Sequence, residues 1–329
     1  MTLPASSLPT HDDVAAARAR LAGHIVRTPT LRHPLLDEIT GGTILLKPEP
    51  LQRTGSFKLR GATNALLQFS AAERRAGVVT HSSGNHGQAT ACAAAALGMR
   101  ATVFMPADAP RIKIDSTARW GADIIHYDRA RDDRDALAAD FVARTGAVLI
   151  PPFDHAQVIA GQGTLALELA DDAAQAGFSM DALLVNTGGG GLIAGCALAM
   201  EGASPGTSIY AVEPAGWDDT ARSLASGSRQ ANAPGGSTLC DSLLSRMPGE
   251  ITFALNRLRL TGGLSVTDEQ VFAAIRFAFT HLKIVVEPGG AVCLAALLAG
   301  VFDARGKIVG AVISGGNVDP AVFSRALAH

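Results

Sequence analysis

Lys58 stands behind Gly55-Ser56-Phe57 at what reads as a helix start. A lysine near the positive end of a helix dipole and away from water has its charged form disfavoured, and its free amine can form a Schiff base. Lysines more often lie solvated, so residue type alone does not single this one out. A second feature is the run Ala182-Leu-Leu-Val-Asn-Thr-Gly-Gly-Gly-Gly-Leu-Ile-Ala-Gly195, which reads as strand, tight glycine turn and helix. Gly188, Gly189, Gly190 and Gly191 leave backbone N–H groups unshielded at a helix N-terminus, where the dipole favours an anion such as phosphate. Gly189, Gly191 and Ala194 also satisfy GxGxxA, and Glu213 follows at the end of a strand, so a nicotinamide dinucleotide competes for the same loop.

These residues need a scaffold that presents loop ends to a ligand. Strand-like runs fall at 43–46, 77–81, 101–105, 123–126, 147–150, 182–185, 208–212 and 307–313, with alanine-rich helical segments such as 88–97, 134–143 and 164–170 between them. Short apolar strands alternating with helices predict parallel sheets covered on both faces, with ligands bound beyond the carboxyl ends of the strands. The runs divide into two sets. A small domain is expected over 76–151, with Pro151-Pro152 as punctuation, and a large domain over 1–75 and 152–329. The mixed-sign stretch from Asp128 to Asp135 reads as a solvated helix start.

Composition narrows the function classes. The 329 residues include 35 glycines, a surplus that suits backbone brought close to a small ligand. Lys and Arg number 28 against 30 Asp and Glu, so a nucleic-acid footprint of clustered cations is not expected. At 47% hydrophobic the chain can bury a large core and is not disordered. The longest uncharged stretch is broken by the four glycines, so no membrane span is expected, and the N-terminus lacks the pattern of a secretory signal, which suggests a cytoplasmic protein. Cys92, Cys196, Cys240 and Cys293 are widely spaced and read as plain buried thiols.

Four motifs in order make the chemistry specific: Thr54-Gly-Ser-Phe-Lys-Leu-Arg-Gly61, Ser82-Ser-Gly-Asn-His-Gly-Gln88, the glycine run and Ser314-Gly-Gly-Asn317. Together with Ile159-Ala-Gly-Gln-Gly-Thr164 and Val286-Glu-Pro288, they give the chain a resemblance over almost its whole length to the fold type II pyridoxal-phosphate enzymes, in their serine/threonine dehydratase and serine racemase branch. The resemblance implies a tryptophan synthase β-like α/β fold of two parallel-sheet, three-layer domains, and it displaces the nicotinamide reading. It implies that Lys58 carries pyridoxal 5'-phosphate, that Phe57 lies against the pyridine ring, and that Gly188 to Gly191 with Leu192 hold the phosphate. Asn85 would meet the phenolic oxygen and Ser314 the ring nitrogen. Ser82, Ser83, Gly84, Asn85 and His86 would bind the substrate carboxylate at a second helix N-terminus.

The reaction so implied is loss of water from a β-hydroxy-α-amino acid, with Lys58 taking the Cα proton, to give a 2-oxo acid and ammonia. A neutral hydroxyl at Ser314 makes the ring a weaker electron sink than an aspartate would, which suits prompt expulsion of a β-substituent. Ser83 is where a racemase of the branch carries its second acid/base, so racemisation with side elimination is the alternative. Glu213-Pro-Ala-Gly-Trp-Asp-Asp219 resembles the family's cation loop, with Glu213, Asp219 and the Trp217 carbonyl as ligands for magnesium, calcium or a monovalent ion. Family habit adds a homodimer. Two departures concern the substrate: Cys240-Asp-Ser242 stands where relatives commonly read Ala-Asp-Gly, and Gly289-Gly290 follows Glu287-Pro288. A bulkier substrate such as an aryl serine would fit these departures. Hydroxyaspartate is disfavoured because no arginine cluster is evident in the matching loops, although Arg129 or Arg134 could reach in. With 12 residues after Asn317, no regulatory domain or isoleucine feedback is expected.

Overall fold

The computed structural model describes residues 8–82, 84–109, 111–128 and 131–328. Nine strands are found among them: β1 (Thr43–Pro48), β2 (Val78–His81), β3 (Ala101–Pro106), β4 (Asp123–Tyr127), β5 (Val148–Leu149), β6 (Ala182–Asn186), β7 (Ser208–Pro214), β8 (Gly262–Val266) and β9 (Ile308–Ile313). They form two sheets, one in the order β1-β9-β6-β7-β8 and the other β4-β3-β2-β5, and every pairing is parallel. The two parallel α/β layers are those expected. Burial explains the strand sequences: β2, β3 and β6 are buried at every position, so they read as continuous apolar runs without alternation.

The sequence reading omits β8. It begins Gly-Gly, lies at the edge of its sheet and is mostly half-buried, so the apolar signal is weak there. The helix Ala156–Gln175 is buried along most of its length and packs with Gly191–Ala203 into one core beneath the larger sheet. All four cysteines are free and buried. No helix among the described residues is long and apolar enough to cross a membrane.

The carboxyl ends of both sheets face one cleft. The helix Lys58–Leu67 starts there and runs between the two units, sharing a core with the helix Asn85–Ala96 of the smaller sheet.

Candidate active site

A cavity of about 380 Å³ opens in this cleft, lined by Phe57, Lys58, Ser82, Gly84, Asn85, His86, Gly188, Gly189, Gly190, Gly191, Leu192 and Ser314. The motifs are thus brought together from separate loops. Ser83 lies outside the described residues, as does Arg129.

The segment before Lys58 is stitched to the chain near its other end. Ser56 bridges Gly315, the Phe57 N–H donates to the Ser314 carbonyl at 3.1 Å, and the Gly316 N–H donates to the Gly55 carbonyl at 2.9 Å. Lys58 Nζ donates to the Pro152 carbonyl at 2.7 Å and stands 5.1 Å from the centre of the Phe57 ring. Burial lowers its ammonium to about 8, with the Glu287 carboxylate opposing the shift. Near neutral pH such an amine gives up its proton readily, which both nucleophilic attack on an aldehyde and proton abstraction require.

The glycine loop leaves β6 and enters the helix Gly191–Ala203, with Gly190 at φ +90°. Two of its carbonyls are engaged by protein donors: Thr252 Oγ1 donates to the Gly189 oxygen at 2.8 Å, and the Ala194 N–H to the Gly190 oxygen at 3.0 Å. A Cβ at Gly189 would lie 2.5 Å from the Phe153 ring, so no other residue fits the loop as it is held. A cradle of backbone dipoles with the oxygens engaged elsewhere matches a phosphate.

Across the cavity, Asn85 opens the second helix. The Gly84 N–H donates to Ser82 Oγ at 3.2 Å, which folds the loop tightly over the helix end. His86 follows Asn85 in the first turn of that helix. Burial, with Lys58 nearby, lowers its imidazole to about 3, so the ring is neutral, and its Nε2 lies 3.2 Å from the Ile150 carbonyl, an acceptor. The ring therefore brings no positive charge to the cavity.

Several cavity residues escape the sequence reading. Pro152 and Phe153 meet Lys58 and the glycine loop only through the fold. Lys113, from the smaller unit, pairs with Asp241 of the larger one across the cleft. Arg134, which the sequence singles out as able to reach in, and Arg246, which it does not, both line this cavity, one in each unit and 112 positions apart. Glu287, buried in the cleft, is pushed up to about 7, chiefly by burial with Lys113 opposing.

Glu213, Trp217 and Asp219 lie outside this cavity. Glu213 accepts from the Thr220 and Ala221 N–H groups, both at 2.9 Å, and so caps the helix Asp219–Ser226. Asp219 Oδ1 accepts from Asn232 at 2.6 Å, whereas its Oδ2 is buried without a partner. Burial, aided by the Asp219 charge, raises Glu213 to about 8, and burial raises Asp219 to about 6. No cluster of three or more His, Cys, Asp or Glu side chains suited to a metal occurs among the described residues.

Comparison with known proteins agrees with this geometry. The family model described as "Pyridoxal-phosphate dependent enzyme" matches residues 21–315. The chain is 42% identical over 313 residues to an L-threo-3-hydroxyaspartate ammonia-lyase of Saccharomyces cerevisiae, covering 95% of this chain and 94% of that protein. To a serine racemase of Schizosaccharomyces pombe it is 41% identical, covering 95% of this chain and 95% of that one. The crystal structure of a serine racemase from Dictyostelium discoideum superposes with a TM-score of 0.87 at 37% identity, over 94% of this chain and 99% of that one. With a lysine, a glycine cradle and a second helix end gathered in one cleft, and with relatives this similar over nearly the whole length, the chain belongs to the pyridoxal-phosphate dependent enzymes.

Proposed function

We propose that the protein is an ammonia-lyase that converts a β-hydroxy-α-amino acid to a 2-oxo acid and ammonia. The observation that carries this reading is the single cavity joining Lys58, the glycine loop and the Asn85–Ala96 helix end, in a chain so similar to an ammonia-lyase. The residues fit pyridoxal phosphate: Gly188 to Gly191 with Leu192 would hold its phosphate, Ser314 its ring nitrogen, Asn85 its phenolic oxygen and Lys58 its aldehyde carbon. When bound, the cofactor supplies a ring that draws electrons from the bond being broken. Backbone N–H groups at the second helix end bind and orient the substrate carboxylate. Lys58 receives the Cα proton at its Nζ, which the Pro152 carbonyl positions.

Within this class we favour a substrate with a second carboxylate. With a helix end for the phosphate and another for the α-carboxylate, a further anion would be met by Arg246 and by Arg134, whose Nε lies 4.0 Å from the Asp135 carboxylate at the same cavity. Replacing either with alanine should raise KM for a 3-hydroxyaspartate about tenfold or more while moving KM for threonine by less than about threefold. Equal effects on both substrates would reject this specificity. Serine racemisation is the second reading, favoured by the 41% identity to a serine racemase. Incubation with L-serine, L-threonine and the 3-hydroxyaspartates, read for both 2-oxo acid and enantiomer exchange, separates the two; exchange without 2-oxo acid would overturn the lyase reading.

We also propose that Glu213 and Asp219, with the Trp217 carbonyl, hold a cation, and that the enzyme works as a homodimer, the latter from the resemblance alone. The support for the cation is two buried carboxyls and the unpartnered Asp219 Oδ2. Because folding raises both acids, the native state binds protons that the unfolded chain lacks. Stability should therefore fall as pH rises from 4.5 to about 8 in chelator. Magnesium or calcium bound to the ionised pair should flatten that fall. Melting midpoints across pH, with chelator, magnesium, calcium or potassium, check this, and a profile that none of these ions alters would remove the site.

A further inference from the structure

Val286-Glu287-Pro288 is a matched motif to which no task has been given. Glu287 is 1% exposed, and a Cβ at Gly315 would collide with its Oε1, so the carboxyl group is packed against bare backbone. That same oxygen accepts from Asn85 Nδ2 at 2.6 Å. On its other side Asn85 Oδ1 accepts from Asn317 Nδ2 at 2.8 Å, and Asn317 Nδ2 also donates to the Thr54 backbone carbonyl at 2.9 Å. The three side chains form a relay that crosses from the larger unit to the smaller and back.

The relay has a direction. The Thr54 carbonyl can only accept, which turns the NH2 end of Asn317 toward Thr54 and Asn85. Asn85 must then offer its oxygen to Asn317 and its NH2 to Glu287. A flipped Asn85 would set its NH2 against that of Asn317 and lose that bond, and with Glu287 ionised it would also set its oxygen against the Glu287 oxygen. Glu287 Oε1 accepts in either protonation state, because a proton can reside on Oε2, which is buried without a partner. One hydrogen of Asn85 Nδ2 is used by Glu287, leaving the second for the cavity that Asn85 lines.

We infer that Glu287 is a positioning residue: through this relay it holds Asn85 with an N–H donor, not an oxygen, facing the bound cofactor. The inference rests on the cofactor reading above. The amide orientation is a matter of electrostatics in a buried place, where a mismatched pair of acceptors is costly. It also couples the two units, since Asn85 is the first residue of the helix end assigned to the substrate carboxylate.

The test is titration of the purified protein with pyridoxal phosphate, read by the position of the visible band and by half-saturation, alongside melting of each variant. Glu287→Leu removes the acceptor and should displace the band and weaken half-saturation about tenfold or more. Glu287→Gln, whose side-chain carbonyl can still accept from Asn85, should return both toward wild type. The double variant Asn85→Asp with Glu287→Gln keeps both side-chain bonds but reverses the polarity of one: the introduced glutamine donates to the introduced aspartate, and Asn317 still donates to that aspartate. It should melt within a few degrees of Glu287→Gln, yet show the displaced band, because no N–H then faces the cavity. This variant decides the matter if Glu287→Leu fails to fold. A wild-type band and half-saturation in either Glu287→Leu or the double variant would overturn the relay. A wild-type protein that acquires no visible band would overturn the cofactor reading and the relay with it.

Discussion

Replacing Lys58 with alanine is expected to abolish the visible absorbance that pyridoxal phosphate acquires on binding, and to lower turnover by ~10³-fold or more. Both losses come from one atom. Lys58 Nζ is held by the Pro152 carbonyl, beside the Phe57 ring, in surroundings that lower its ammonium to about 8. The other nearby nitrogen base, His86, is kept neutral with its Nε2 turned to the Ile150 carbonyl, so it is poorly placed to take over. The variant should still fold, since the Phe57 and Gly316 N–H bonds that shape the segment are made by backbone. An absorbance titration and a 2-oxo acid assay check the result, and retention of either signal would remove Lys58 from its assigned role.

Replacing Glu49 with alanine should destabilise the fold by about 3–5 kcal/mol, a large share of the roughly 5–15 kcal/mol available to a domain. Glu49, Arg60, Lys47 and Glu168 form a buried quartet of two cations and two anions. Arg60 donates to both Glu49 oxygens at 2.8 Å and to the Glu168 oxygens at 2.7 and 2.9 Å; Lys47 Nζ lies 2.7 Å from Glu168. Burial alone would push Glu49 up, yet the Arg60 guanidinium holds it below the usual carboxylate range. Deleting one carboxylate leaves a buried positive charge without compensation. Because Arg60 sits two residues beyond Lys58 on the same helix, cofactor loading should fall together with stability. Urea unfolding should show a lower midpoint at an unchanged slope. A quadruple apolar replacement should cost less than the single one, and a loss below about 1 kcal/mol in Glu49→Ala would show the quartet to be energetically slack.

The contrast between these two predictions explains what the sequence reveals. Lys58, the glycine run, Asn85 and Ser314 are legible because each sits in a short contiguous motif whose backbone geometry makes the site. Their gathering in one cavity follows from strand ends sharing one side of parallel sheets. The quartet is not legible: Lys47, Glu49, Arg60 and Glu168 look like surface charges until the fold pairs them. The same holds for Arg246, which reaches the cleft only through the fold, whereas Arg134 is already singled out in the sequence. Asn85 reads as a cofactor contact, but its direction depends on Thr54, Glu287 and Asn317, which a linear scan does not connect.

The order β1-β9-β6 places the last described strand between the first strand and the sixth, with Thr43 of β1 opposite Ile308 of β9. During synthesis β1 therefore waits, without its neighbour, until some 260 further residues have left the ribosome. The Ser56–Gly315 bridge makes Lys58 wait equally long. A nascent chain stalled before residue 308 can complete the smaller sheet but has no finished cofactor site. Pyridoxal phosphate can thus be captured only once residues 308–315 have emerged, and chains truncated short of that point should depend on chaperones to shield the exposed flank of β1.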